Sequence, residues 1–173
     1  LVTLLGFRAG GVAALLVVWS IAANVHGSGN PAPLPYLPLL NPLDLTQAAI
    51  LLALATWAVR VRRTYPQTFD ELPRNADVFM LCALAFLWIN AIALRSIHFW
   101  YDVPYTPHAL WHSTLVQAVL SLLWSSLALA TMAYANRRQW RAPWMAGAAL
   151  LGVVVAKLFL VELAQVGTIT RIV

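Results

Sequence analysis

Residues 76–97 read ADVFMLCALAFLWINAIALRSI, a run whose only charges are Asp77 at its start and Arg95 near its end. An α-helix rises about 1.5 Å per residue, so about 20 apolar residues cross the hydrocarbon core of a bilayer. The run is therefore predicted to span a membrane as a helix. Four other stretches have the same character, and together they predict five spans, at about 2–25, 43–61, 76–97, 109–135 and 143–166. Composition agrees: 61% of the chain is hydrophobic, 10% is charged and mean hydropathy is +0.75. So few ionisable side chains could not cover a water-facing surface, which excludes a soluble globule. The expected fold is all-α, a polytopic transmembrane helix bundle forming one domain over residues 1–173.

The net charge of +5 comes from 11 Lys and Arg against 6 Asp and Glu. These cations sit in short clusters between apolar runs, so they report orientation in a bilayer and do not imply a nucleic-acid partner. Arg60, Arg62, Arg63 and Arg74 flank one connection and Arg137, Arg138 and Arg141 another, whereas residues 26–43 and 98–110 hold no Lys or Arg. The positive-inside rule then puts the N-terminus in the cytoplasm. Trp57, Tyr65, Tyr134, Trp140 and Trp144 would form the inner aromatic belt, and Tyr36, Trp100, Tyr101, Tyr105 and Trp111 the outer one. The chain begins with Leu1 and no charged segment precedes the first apolar run, so residues 1–25 do not read as a signal peptide. A fragment of a longer polytopic protein is expected, with the missing helices as partners. The lone Cys82 should pack as a small hydrophobe.

Helix starts are written into the boundaries. Asn41-Pro42-Leu43-Asp44 offers a capping side chain, a proline at the first helical position and an acid that suits the helix start. Thr106-Pro107 and Pro143 mark two further starts, and Asp77 fits a first turn. The segment from His26 to Pro38, rich in proline and glycine, predicts an ordered outer loop. Gly6, Gly10 and Ala14, and again Ala148, Gly152 and Ala156, recur every four residues as small faces that allow close helix approach. Ser113, Gln117, Ser121 and Ser125 form a polar stripe that should face the bundle interior.

Charges on the predicted outer half carry the functional reading. Arg95, Lys157 and Arg171 lie there with Asp44, Asp102, Glu162, His26, His98, His108 and His112. An ionisable group at membrane depth costs about 2.5–3.5 kcal/mol on insertion scales, so each needs a partner, water or a purpose. Lys157 lies about 21 Å along its helix from Pro143, beyond the midplane. Glu162 is five residues on, about 140° round the helix, so the two are not an i, i+4 pair. Arg95 reads either as a snorkelling residue near a helix end or as a fork for a carboxylate or phosphate. Asp44 is accounted for by its place at a helix start. A first functional reading is binding or transport of an anionic envelope lipid or glycan precursor, with Arg95, Asp102, Gln117, Lys157, Glu162 and Arg171 around an outer-leaflet cavity. A second is an envelope-modifying enzyme in which His98, His108 or His112 acts as base or metal ligand; whether the chain is an enzyme stays open at this point. A third is a structural scaffold. No nucleophile elbow, phosphate loop or CxxC is present, and no cofactor is expected.

Several of these motifs together resemble a known family: NPLDL at 41–45, HFWYDVPY at 98–105, QAVLSLLW at 117–124 and KLFLVELAQVGTITRIV at 157–173. The chain resembles the C-terminal part of a bacterial family of predicted membrane proteins catalogued as domain of unknown function 2339. The last run is the most specific, with Glu162 where Asp is expected to be commoner. The resemblance implies the bacterial inner membrane and a further helix beyond Val173; it implies no activity.

Overall fold

The computed structural model describes the backbone of residues 2–64 and 75–169, with side chains for 10–64 and 75–160. The described chain is all-helical: α1 (Val2–His26), α2 (Pro42–Thr64), α3 (Ala76–Tyr101), α4 (Pro107–His112), α5 (Thr114–Arg138) and α6 (Arg141–Ile169). Among the described residues, α2, α3, α5 and the Arg141–Leu160 part of α6 are long and apolar enough to cross a membrane, while the described apolar part of α1, Gly10–His26, is shorter. The chain divides into two compact units, residues 1–110 and 111–173.

The expected span at 109–135 is two helices. Thr106 Oγ1 accepts a hydrogen bond from Ala109 N and starts α4, but the helix stops at His112. Ser113 is extended and its hydroxyl accepts from Val116 N, capping a fresh start for α5. A serine at this position competes for the backbone and so resets the helix. The last span opens at Arg141, with Pro143 tolerated in the first turn, where its missing N–H costs nothing.

In the first unit, α1, α2 and α3 pack around Ala13, Ile50, Leu54 and Leu84. Trp57 joins this core, contrary to its expected place in an aromatic belt. The inward face of α1 runs through Ala13, Leu16, Val17, Ser20 and Asn24, while Ala14 is exposed and a side chain at Gly10 would meet nothing within 4 Å. The small-residue face expected at Gly10 and Ala14 is thus turned away. Polar groups decide the rotation, because in lipid they have no water to turn to. The Ser20 hydroxyl donates to Gln47 Oε1, and Gln47 Nε2 donates back to Ser20 O at 3.3 Å. Cys82 is exposed on α3 and does not pack inside.

In the second unit, α5 and α6 form an antiparallel hairpin whose tight turn passes through Gln139, left-handed at φ 56°. The buried face of α6 carries Gly147 and Val154, seven residues apart, and that of α5 carries Ala128 and Ala135. This is the seam spacing of helices packed nearly antiparallel. It replaces the expected Ala148, Gly152, Ala156 face, of which Gly152 and Ala156 are exposed. Gly147 is indispensable there: a Cβ would lie 2.7 Å from Met132 Cγ and 2.9 Å from Ala128 O. Gly147→Val should therefore destabilise the α5–α6 hairpin by about 1–3 kcal/mol through overpacking. Gly152→Val, with nothing within 4 Å, should leave it unchanged; unfolding midpoints in detergent measure both.

Candidate functional site in the polar clusters of the two units

The first cluster is built by three helix ends. Glycines near the end of α1 let the chain come close: a Cβ on Gly27 would lie 2.5 Å from Ala23 O, and one on Gly29, at φ +67°, would lie 2.6 Å from Asn41 Nδ2. Asn41 caps α2, its Oδ1 accepting from Leu43 N at 3.0 Å while its Nδ2 donates to Gly29 O. Into this junction α3 inserts Arg95, which is 0% exposed. Its Nε donates to Gly27 O at 2.9 Å, Nη2 to Ala23 O at 3.0 Å and Nη1 to Asp44 Oδ1 at 2.6 Å. Trp88 Nε1 reaches the same carboxylate oxygen at 3.4 Å.

The electrostatics favour this arrangement. Arg95 meets carbonyls at the C-terminal end of α1, where the helix dipole is negative, and Asp44 sits in the first turn of α2, where it is positive. Arg95 therefore does not snorkel, and Asp44 is more than a helix-start acid: it is the counter-ion of a buried pair. Sequence spacing could not reveal the pair, since 51 residues separate the partners. The signal available was that each was a charge without a local partner.

Around this pair lies an aromatic rim. Tyr36 stacks on Phe99 with centroids 4.6 Å apart. Burial raises the phenols of Tyr36 and Tyr105 above their ordinary range, so both stay neutral at physiological pH. Asp102 caps the end of α3 in the left-handed conformation, φ 54°, and is exposed. The turn it makes brings Val103 O to His98 Nδ1 at 2.7 Å; because a carbonyl can only accept, that nitrogen carries the proton. His108 and His112 are exposed on α4. Among the described residues, no group of three His, Cys, Asp or Glu side chains is placed to hold a metal ion.

The second cluster lies on the α5–α6 seam. Lys157 Nζ donates to Gln117 O and to Ser121 Oγ, each at 3.2 Å, and stands 5.5 Å from the centre of the Trp124 ring. Ser121 in turn donates to Gln117 O at 2.8 Å, and Gln117 Nε2 to Trp111 O at 2.9 Å. Of the predicted polar stripe, the Ser121 hydroxyl and the Gln117 backbone carbonyl form the floor beneath the lysine. Every partner of Lys157 among the described residues of this cluster is neutral, and residues 111–173 contain one acid, Glu162. Of the residues proposed from sequence, Gln117 and Lys157 meet here, Arg95 and Asp102 belong to the first unit, and the Glu162 side chain and Arg171 lie outside the described residues.

At the opposite end of the first unit, Arg62 grips Asp77 through two hydrogen bonds, with Nε at 2.7 Å from Oδ2 and Nη2 on Oδ1. This ties α2 to α3 beside the arginine-rich connection.

Long apolar helices, a buried ion pair between two of them and a lysine on a hydroxyl and carbonyl floor define a multi-pass helical membrane protein. Over residues 1–173 the chain matches the family described as predicted membrane protein (DUF2339), and it belongs to that family. No curated relative and no solved structure matches it.

The pair makes its own prediction. Arg95→Met or Asp44→Asn alone strands a buried group and should cost about 3–5 kcal/mol, whereas Arg95→Met with Asp44→Leu should recover much of that loss. Chemical or thermal unfolding of the three variants checks it.

Proposed function

We propose that the chain is a binding module of the bacterial inner membrane, N-terminus cytoplasmic, that takes or passes an anionic group of an envelope lipid or glycan precursor. Lys157 is the contact cation, with Gln117 and Ser121 beneath it and Trp124 beside it; Glu162 and Arg171, further along the same sequence run, complete the set. One observation carries the reading: an ammonium at membrane depth held by neutral acceptors, in a unit whose single acid is five residues along the same helix. A charge so placed needs an anion from elsewhere, and low dielectric strengthens its pull on one. Arg95 is set aside from the binding set, because Asp44 neutralises it and backbone carbonyls hold two more of its donors.

A scaffold reading draws support from the Arg95–Asp44 junction, which uses ionic groups to hold helices together. The same test separates the two. In nanodiscs of mixed phosphatidylglycerol and phosphatidylcholine, the chain should enrich phosphatidylglycerol. Lys157→Met should lose about fivefold of that preference, the worth of about 1 kcal/mol per cation, while Lys157→Arg keeps it. Lipid analysis by native mass spectrometry reads the ratio. An unchanged ratio in Lys157→Met overturns the binding role, and a variant that no longer assembles with intact Lys157→Arg assigns the lysine to helix packing.

A further inference from the structure

A separate cavity of about 360 Å³ lies wholly within the first unit, between the end of α1, the outer half of α3 and the residues that follow α3. That volume is at the small end of the range for ligand pockets, about 300–1,000 Å³. Its walls are mainly apolar, from Leu87, Leu94 and Pro107, and its polar residues are Asn24, His26, Asn90 and Tyr105. No Lys, Arg, Asp or Glu lines it.

Asn24 is the anomaly. It is 3% exposed, yet neither its Nδ2 nor its Oδ1 has a hydrogen-bond partner. Its backbone carbonyl accepts a 3.5 Å bond from the Tyr105 hydroxyl. A buried carboxamide with both ends unpaired is costly, and α1 could have avoided the cost with an apolar residue at that position. Elsewhere in the unit Ser20 pairs with Gln47 and Arg95 with Asp44, Ala23 and Gly27, and among the described residues Asp44 Oδ2 is the one other buried side-chain nitrogen or oxygen without a partner.

We infer that this cavity is a binding site for an uncharged amphiphile, whose head both donates and accepts a hydrogen bond to the Asn24 carboxamide and whose apolar body packs on Leu87 and Leu94. A primary amide on an alkyl chain is the simplest such molecule. Its carbonyl accepts from Asn24 Nδ2 and its N–H donates to Asn24 Oδ1, forming a closed pair of bonds. A carboxylate head accepts but does not donate, so it leaves Asn24 Oδ1 unpaired, and it finds no Lys or Arg in the lining. The site uses none of the residues around Lys157, so it stands or falls independently of the anion-binding proposal.

The test is saturation binding of tritiated oleamide to the full chain in detergent micelles, with oleate as the charged analogue of the same chain length. Wild type should bind oleamide saturably and oleate about tenfold more weakly or worse, the effect of leaving a buried amide oxygen unpaired. Asn24→Leu should lose oleamide binding by about tenfold, and Leu94→Phe, which narrows the cavity without touching Asn24, should weaken it as well. Monodisperse elution of each variant confirms that it is folded, and Leu94→Phe serves as the decisive variant if Asn24→Leu aggregates. Equal binding of oleate and oleamide overturns the proposal, as does undiminished binding in either folded variant. Absence of saturable binding to wild type also overturns it and leaves Asn24 as a hydrated packing defect.

Discussion

The buried Arg95–Asp44 pair is the constraint around which the first unit is arranged. One guanidinium from α3 donates to two carbonyls at the end of α1 and to one carboxylate oxygen in the first turn of α2, so a single side chain fixes the relative positions of three helix ends. The features nearby follow from that need. Gly27 and Gly29 bring backbone close enough to serve as acceptor and support, Asn41 holds the loop against Gly29 while starting α2, and Tyr36 closes over Phe99. Each helix dipole lies in the sense that favours the charge at its end. A pair of this kind stabilises little on balance against an apolar replacement; what it supplies is a unique register, since any rotation of α3 leaves a charge in lipid without partners.

The two units use different devices for the same problem. The first joins helices through directional polar contacts, at Ser20–Gln47, at Arg95–Asp44 and at Arg62–Asp77. The second relies on close backbone approach, with Gly147 against Ala128 and Met132, and sets the Ser121 hydroxyl and the Gln117 carbonyl against one lysine. Lipid gives apolar side chains no reason to prefer one another, so packing fit and hydrogen bonds are what remain to direct association. The contrast also bears on function. In the first unit Arg95 and Arg62 are each paired with a carboxylate, while in the second the described partners of Lys157 are a hydroxyl, a carbonyl and an indole ring.

Much of this was legible residue by residue. The apolar runs, the starts at Asn41, Thr106 and Pro143, and the inward polar stripe at Gln117 and Ser121 depend on local chemistry and helical period, and they are found close to where the sequence puts them. Small residues were a poorer guide. Gly10, Ala14, Gly152 and Ala156 have the spacing of a packing face but are not the buried face, because Ser20 on α1, and Gly147 with Lys157 on α6, outweigh them in choosing which side turns inward. The break at Ser113 was missed for a related reason: hydropathy runs smoothly through it, and only the hydroxyl's bond to Val116 N ends one helix and begins another.

By itself, then, the sequence determined the solvent, the helical class and the positions where charge would be hard to accommodate, because all three depend on composition and on spacing along one helix. It could not determine which charges would neutralise one another. Arg95 and Asp44 belong to different helices, and their meeting depends on the packing of α1, α2 and α3 together. The same holds for Asn24, whose carboxamide has no hydrogen-bond partner among the described residues, a property of the folded surroundings and of nothing in the chain nearby.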